Sequence, residues 1–176
     1  MNSFFVFRLK SFFNRVLMNS IASRCPFVRV RIKLYKMAGL KIEHNVRINP
    51  HVFFSTSNIE LGQGTMINRF CQVHDGLKGG KLHIGKNVVV SFNVVFCLIT
   101  HEIGTSSQRW GKRISGDIHI GDGSWIGANV TILPNVKIGK GCVIAAGSLV
   151  NSDCKDNCIY AGVPAKLVRE IDEPAL

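Results

Sequence analysis

The chain has no uncharged apolar run near the ~18 residues that a spanning helix needs, so a helical membrane protein is not expected. It has no secretory signal pattern: Arg8, Lys10 and Arg15 interrupt the early apolar stretch, and no small-residue cleavage site follows. Its six cysteines form no paired CxxC motif, which sets aside a zinc ribbon and a disulfide framework. The Cys154–Cys158 spacing lacks the second pair that would complete a metal site. The cysteines are therefore expected to be reduced and structural, in a cytoplasmic chain. The first 41 residues contain no acid at all.

What they contain instead is nine cations, from Arg8 to Lys41. The chain's net charge of +11 therefore belongs mostly to this segment, and the remainder is close to balance. Phe4, Phe5, Phe7, Phe12 and Phe13 are interleaved with the cations. Phe5, Leu9, Phe12 and Val16 can share one helical face, with Arg8, Ser11 and Arg15 on another. Two readings follow: a helix capping the rest of the fold, or a helix lying on an anionic membrane surface. Nucleic acid is not an expected partner, since no recognition motif accompanies the basic residues.

From Ile120 the pattern changes. Every sixth residue is β-branched and aliphatic: Ile120, Ile126, Ile132, Ile138, Ile144, Val150. Four residues after each of the first five stands something compact: Ser124, Val130, Val136, Cys142, Ser148. Cys71 and Cys154 are counted into the same compact slot. Gly121, Gly127 and Gly139 follow three of the aliphatics, where glycine is expected to relieve the backbone at a corner. A six-residue period suits neither an α-helix nor a simple sheet. It predicts a left-handed parallel β-helix, with one hexapeptide on each flat face. Earlier sets obey the same period: Ile42, Ile48, Phe54; Leu61, Ile67, Val73; Ile84, Val90, Phe96. The unbroken run at the end sets aside chance spacing in an ordinary β-protein.

The expected class is thus all-β, with three segments. Residues 1–41 form a short basic helical segment. Residues 42–164 form the β-helix, with a protruding loop at 100–117 and a shorter excursion at 75–81. Residues 165–176 form a short C-terminal helix or tail.

The fold alone names no reaction. The long loop says more: it reads THEIG, then QRWGKR. His101 stands where the loop leaves the coil, outside the hexad, as an accessible imidazole suited to a general base. His83 and His119 sit between interior residues, so they point outward. Glu102 adjoins His101 and is placed to tune it, in a direction the sequence does not show.

THEIGTSSQRWGKR, IHIGDGSWIGANVTILPNVKIGKGCVIAAGSLV and YAGVPAKLVREI together resemble the hexapeptide-repeat acyltransferases, and within them the polysaccharide and sugar O-acetyltransferases. The resemblance spans roughly residues 40–171. It implies acetyl-CoA as donor, a homotrimer with a cleft between adjacent β-helices, and no metal. It implies His101 as the base. Asn68 matches an asparagine that contacts the acceptor, with a plain corner asparagine as the alternative reading of its place after Ile67. Trp125 matches a tryptophan beside the pantetheine channel. Ala128 and Ala146 match positions whose backbone amides bind the pantetheine arm. Lys166 and Arg169, one helical turn apart, match cations near the CoA phosphates. Asn151 and Ser152 depart from the Thr-Lys pair usual before the final turn.

The acceptor implied is a sugar hydroxyl, of a cell-envelope polysaccharide or its precursor. Serine, a free sugar or an antibiotic are the nearby alternatives. A carbonic anhydrase on the same fold needs three zinc-binding histidines with two close in sequence, and none follows His101 until His119. A β-helical scaffold without catalysis is the remaining reading, opposed by His101 and the AGVPAK ending.

Overall fold

The computed structural model describes residues 12–75 and 79–172. Phe4, Phe5, Phe7 and Leu9 lie outside them, as do the centre of the 75–81 excursion and the last four residues of the tail.

Three parallel sheets wrap one interior. The first holds Lys41–Ile42, Ile59–Leu61, Leu82–Ile84, Ile118–Ile120 and Lys137–Ile138. The second runs from Arg47–Ile48 through Met66–Ile67, Val89–Val90, Trp125–Ile126 and Val143–Ile144 to Cys158–Gly162 and Ala165–Glu170. The third holds Phe53–Phe54, Gln72–His74, Val95–Cys97, Thr131–Ile132 and Leu149–Val150. The chain visits the sheets in rotation, so each turn of coil gives one short strand to each. Strands stack in register, with Ile126 between Val90 and Ile144, and Ile132 between Phe96 and Val150. Every aliphatic of the hexad sets is buried, and so is every compact residue. The period is a steric fact: a narrow interior repeats one branched slot and one small slot per face.

Three details differ from the sequence-based expectations. The glycines after interior residues do not have the positive φ that would call for glycine. They are glycines because coils touch there: a Cβ on Gly127 would lie 2.6 Å from Ala146 N, and one on Gly121 2.6 Å from Gly139 C. The left-handed corner positions are filled largely by asparagine, including Asn87, Asn93, Asn129 and Asn135. Second, the hexad slips between Val150 and Cys154. Cys154 bridges Ile138 and so occupies the interior slot, while Cys158 takes the compact one. Both are buried, and burial pushes the Cys154 thiol up to about 12. Third, residues 165–170 are not a helix. Ala165–Glu170 is a strand that turns back antiparallel on Cys158–Gly162. The open sheet edge offers it backbone partners that a lone helical turn would lack.

The other end is covered by helical turns that lie after the expected Phe5–Val16 face, of which Phe5 and Leu9 are outside the described residues and Phe12 and Val16 are exposed. The 17–21 turn and the helix Val28–Met37 bury Met18, Ala22 and Tyr35 against the first coil. The Tyr35 ring meets Phe54 edge-on at 5.1 Å. The Asn19 amide completes the outermost strand, giving Nδ2–H to Phe54 O and accepting Phe54 N–H, each at 2.9 Å. Arg31 is fully buried; its Nε donates to Ile48 O at 2.7 Å and its guanidinium also donates to Cys25 O. Desolvation lowers the Arg31 pKa. Its hydrogen bonds, rather than an acid, compensate the buried charge.

Candidate active site

The 100–117 loop is a two-stranded antiparallel ribbon, Ile99–Ile103 with Trp110–Ser115. Its root is closed by Gly116 N donating to Leu98 O at 3.0 Å. His101 sits opposite Arg113 and is exposed, with an irregularity in the register just after it. Its ring meets the Trp110 ring edge-on, centroids 6.1 Å apart and planes at 83°. Among the described residues, Glu102 makes no hydrogen bond or ion pair with His101.

A second group of residues lies at the corner between the second and third sheets. Ala128 and Ala146 take the same corner position in neighbouring coils, linked by Gly147 N donating to Ala128 O at 2.8 Å. Among the described residues, neither alanine's own N–H has a protein acceptor. With small side chains, Ala128 partly exposed and Ala146 exposed, the corner forms a shelf with two unpaired backbone donors. Trp125 stands beside it on the outer face of the second sheet, 54% exposed, with Nε1–H donating to Ser91 Oγ at 3.1 Å. In the preceding coil Phe92 occupies the position of the two alanines, since Asn129 N donates to its carbonyl. Phe92 is half exposed and bounds the shelf on that side. Sequence reasoning missed it. Only register reveals it, as the residue two beyond interior Val90.

Asn68 is on the same corner, nearer the N-terminal end. Its Nδ2 donates to Val90 O at 3.0 Å, and its Oδ1 accepts from Asn49 Nδ2 at 2.9 Å. Much of its side chain thus serves the corner, with one amide N–H in hand.

Lys166 and Arg169 are both exposed. A regular strand would send residues three apart to opposite faces. Here the register shifts: Lys166 pairs Ala161, and Arg169 pairs Ile159. Ala161 and Ile159 alternate with buried Tyr160, so both face outward. The irregularity therefore returns the two cations to one face. Along that face Trp125, Val143, Ile159 and Arg169 form a continuous register row. The row links the shelf to the cations.

These pieces belong to different corners. The ribbon leaves the coil after the third sheet, whereas the shelf, Trp125 and Asn68 belong to the second sheet and the corner after it. Among the described residues, no three His, Cys, Asp or Glu side chains are grouped to hold a metal ion.

A parallel β-helix with a hexad interior, an imidazole on a thrown-out ribbon and an amide shelf defines a class of transferase. Comparison with known proteins agrees. The family described as bacterial transferase hexapeptide (six repeats) matches residues 117–152. The galactoside O-acetyltransferase of Escherichia coli K12 is 35% identical over 147 residues, 83% of this chain and 71% of that protein. Among solved structures, galactoside acetyltransferase in complex with coenzyme A superposes with a TM-score of 0.83 at 32% identity, over 94% of this chain and 82% of its own. A hexapeptide-repeat acetyltransferase of Vibrio cholerae O1 biovar eltor, complexed with acetyl coenzyme A, gives 0.77 at 26% identity, over 96% and 88%. The chain belongs to the hexapeptide-repeat acyltransferases, and its coil is the left-handed parallel β-helix.

Proposed function

We propose that this protein transfers an acetyl group from acetyl-CoA to a sugar hydroxyl, on a cell-envelope polysaccharide or its precursor. The observation that carries this reading is the amide shelf of Ala128 and Ala146, unpaired and continuous with Trp125 and two cations. It is a track for a long, phosphate-ended, amide-bearing donor. The Escherichia coli relative's description as a galactoside O-acetyltransferase supports a sugar acceptor.

His101 acts as general base. Its imidazole takes the proton of the acceptor hydroxyl as that oxygen attacks the thioester carbonyl. The new C–O bond forms, the C–S bond breaks, and the proton passes from the imidazolium to the departing sulfur. Backbone N–H groups of the coil wall stabilise the oxyanion that develops. The spare amide N–H of Asn68 orients the acceptor. Mass spectrometry of the host's envelope glycan with and without the protein tests the acceptor class. Loss of an acetyl-sized increment is expected on deletion. An unchanged glycan would remove the envelope assignment.

Lys166 and Arg169 hold the phosphates of the donor. The variant with both replaced by glutamine is expected to bind CoA about tenfold or more weaker, with a flatter salt dependence, by titration calorimetry. Unchanged affinity would move the phosphates to Arg109, Lys112 and Arg113 of the ribbon.

The active species is a homotrimer, in which one copy's ribbon meets another copy's shelf. The outer faces of the sheets support this. The outward row of the second sheet runs Arg47, Met66, Val89, Trp125, Val143, Ile159 and Arg169, and that of the third Phe53, Gln72, Val95, Thr131 and Leu149. The first sheet instead presents Lys41, Glu60, His83, His119 and Lys137. There Lys41 and Lys81 each lie 2.8 Å from Glu60 and, with His83, hold its pKa down to about 2. One charged face suited to water and two faces rich in apolar side chains, neither of them carrying an acid in its outward row, fit a closed assembly. Sedimentation near three times 19.4 kDa is expected. An active monomer would rule out the shared site.

The enzyme works in the cytoplasm, in peripheral contact with the inner face of the membrane. Among the described residues no helix is long and apolar enough to cross a membrane.

A further inference from the structure

The helical cap over the N-terminal end of the coil has a fixed inward side. Arg31 and Tyr35 are fully buried there, and Arg31 is tied to Ile48 O and Cys25 O. At ~100° per residue, that anchoring aims Arg29, Lys33 and Lys36 outward within an arc of roughly 60°. All three are exposed. Val30 and Met37 lie along one side of the same arc and are exposed as well. The turns before the helix add Arg15 and Arg24, again exposed, beside Phe12 and Phe13 at 62% and 67% exposure. Phe27, at the helix entry, is 69% exposed. No cation of residues 12–37 joins an ion pair among the described residues, where every salt bridge is to Glu60. The first 41 residues hold no acid that could supply one.

The two components together narrow the partner. A basic face kept only for solubility has no use for exposed phenylalanines, which carry a hydration cost. A protein partner's contact core is depleted of charge, and lysine above all. An anionic bilayer accepts both at once: cations meet lipid phosphates at the headgroup level, while the apolar side chains enter the acyl boundary. We propose that the outward side of this cap docks on an anionic phospholipid surface through Arg29, Lys33 and Lys36, with Phe12, Phe13 and Phe27 inserting. The inference gives the peripheral membrane contact named above a specific surface. It is independent of the chemistry at His101. Docking through the cap brings the enzyme to membrane-borne acceptors without embedding the coil.

Vesicle flotation of the full chain tests it. The wild-type protein is expected to float with phosphatidylcholine vesicles containing phosphatidylglycerol at low salt, not with phosphatidylcholine alone, and to be released by high salt. The triple variant Arg29→Gln, Lys33→Gln, Lys36→Gln alters exposed positions with a good helix former. Its partitioning onto the anionic vesicles is expected to fall on the order of 100-fold. Its assembly mass and its transfer to a water-soluble sugar should be unchanged. The variant Phe12→Ser, Phe13→Ser, Phe27→Ser should lose the binding that persists at moderate salt. His101→Ala should float like wild type, so a failure of the catalytic reading is visible separately. A wild-type chain that ignores anionic vesicles while sedimenting as a trimer would overturn the proposal, because the apolar residues would then be covered by other copies. Wild-type flotation of the triple variant would overturn it equally.

Discussion

His101→Ala is expected to lower acetyl transfer by on the order of 10²–10⁴, the usual worth of a positioned general base. The loss should fall on kcat, with little change in CoA affinity. The geometry explains the split. His101 is on the ribbon that leaves the coil after the third sheet, while the amide shelf and the register row to Arg169 belong to the second. Removing the imidazole therefore alters none of the residues proposed to hold the donor. His101 is exposed, opposite Arg113 and edge-on to the Trp110 ring, so truncation strands no buried polar group. Protein stability should be close to wild type. Steady-state kinetics with a sugar acceptor, together with CoA titration, separates the two readouts. Near-full activity would show that another group takes the hydroxyl proton.

Gly127→Ala is expected to destabilise the fold by about 3 kcal/mol, the upper part of the usual range for overpacking. For a chain of this size that is a fall in Tm of roughly 6–12 °C at fixed protein concentration. The new Cβ would lie 2.6 Å from Ala146 N, 2.7 Å from Ile144 O and 2.9 Å from Ala145 C. All three are backbone atoms, held by the ladder bond from Gly127 N to Ile144 O at 2.8 Å. No side chain can swing away, so the coils must separate at the shelf itself. Donor binding should weaken with stability. Gly123→Ala is the control. Open space surrounds that position, and only its φ of +70° opposes a side chain, at about 1 kcal/mol. Equal melting shifts for the two variants would mean that inter-coil contact is not what selects glycine at 127.

The interior was legible in the chain because it is a repeated steric slot. Ile126 and Ile132 recur where they do for one reason, and the string carries that reason in its spacing. Legibility ends where the repeat meets something outside it. The step from Val150 to Cys154 drops two residues, and counting along the string assigns Cys154 to the wrong slot. Only the bridge to Ile138 shows which coil position it fills. Lys166 and Arg169 are three apart among apolar residues, a spacing that suits a helix. A free sheet edge decides for a strand instead, and a register shift then keeps the pair together. The spacing places the glycines but hides their cause, because close approach of coils separated by many residues leaves no local trace. His101 was conspicuous by lying outside the period. Phe92 was inconspicuous by lying within it.

The reversed strand has a meaning beyond the cations it carries. A parallel coil has no natural last turn: its final rung exposes N–H and C=O groups in the same register that every earlier rung satisfies. Two such ends would splice one molecule onto the next, rung on rung. Here Ala165–Glu170 runs against the grain at one terminus, and the Asn19 amide stands in for a neighbour at the other. The second sheet is thereby stopped at one pole and the third at the other. End-to-end growth through those two sheets is opposed, which fits association through the flanks, as the proposed trimer requires.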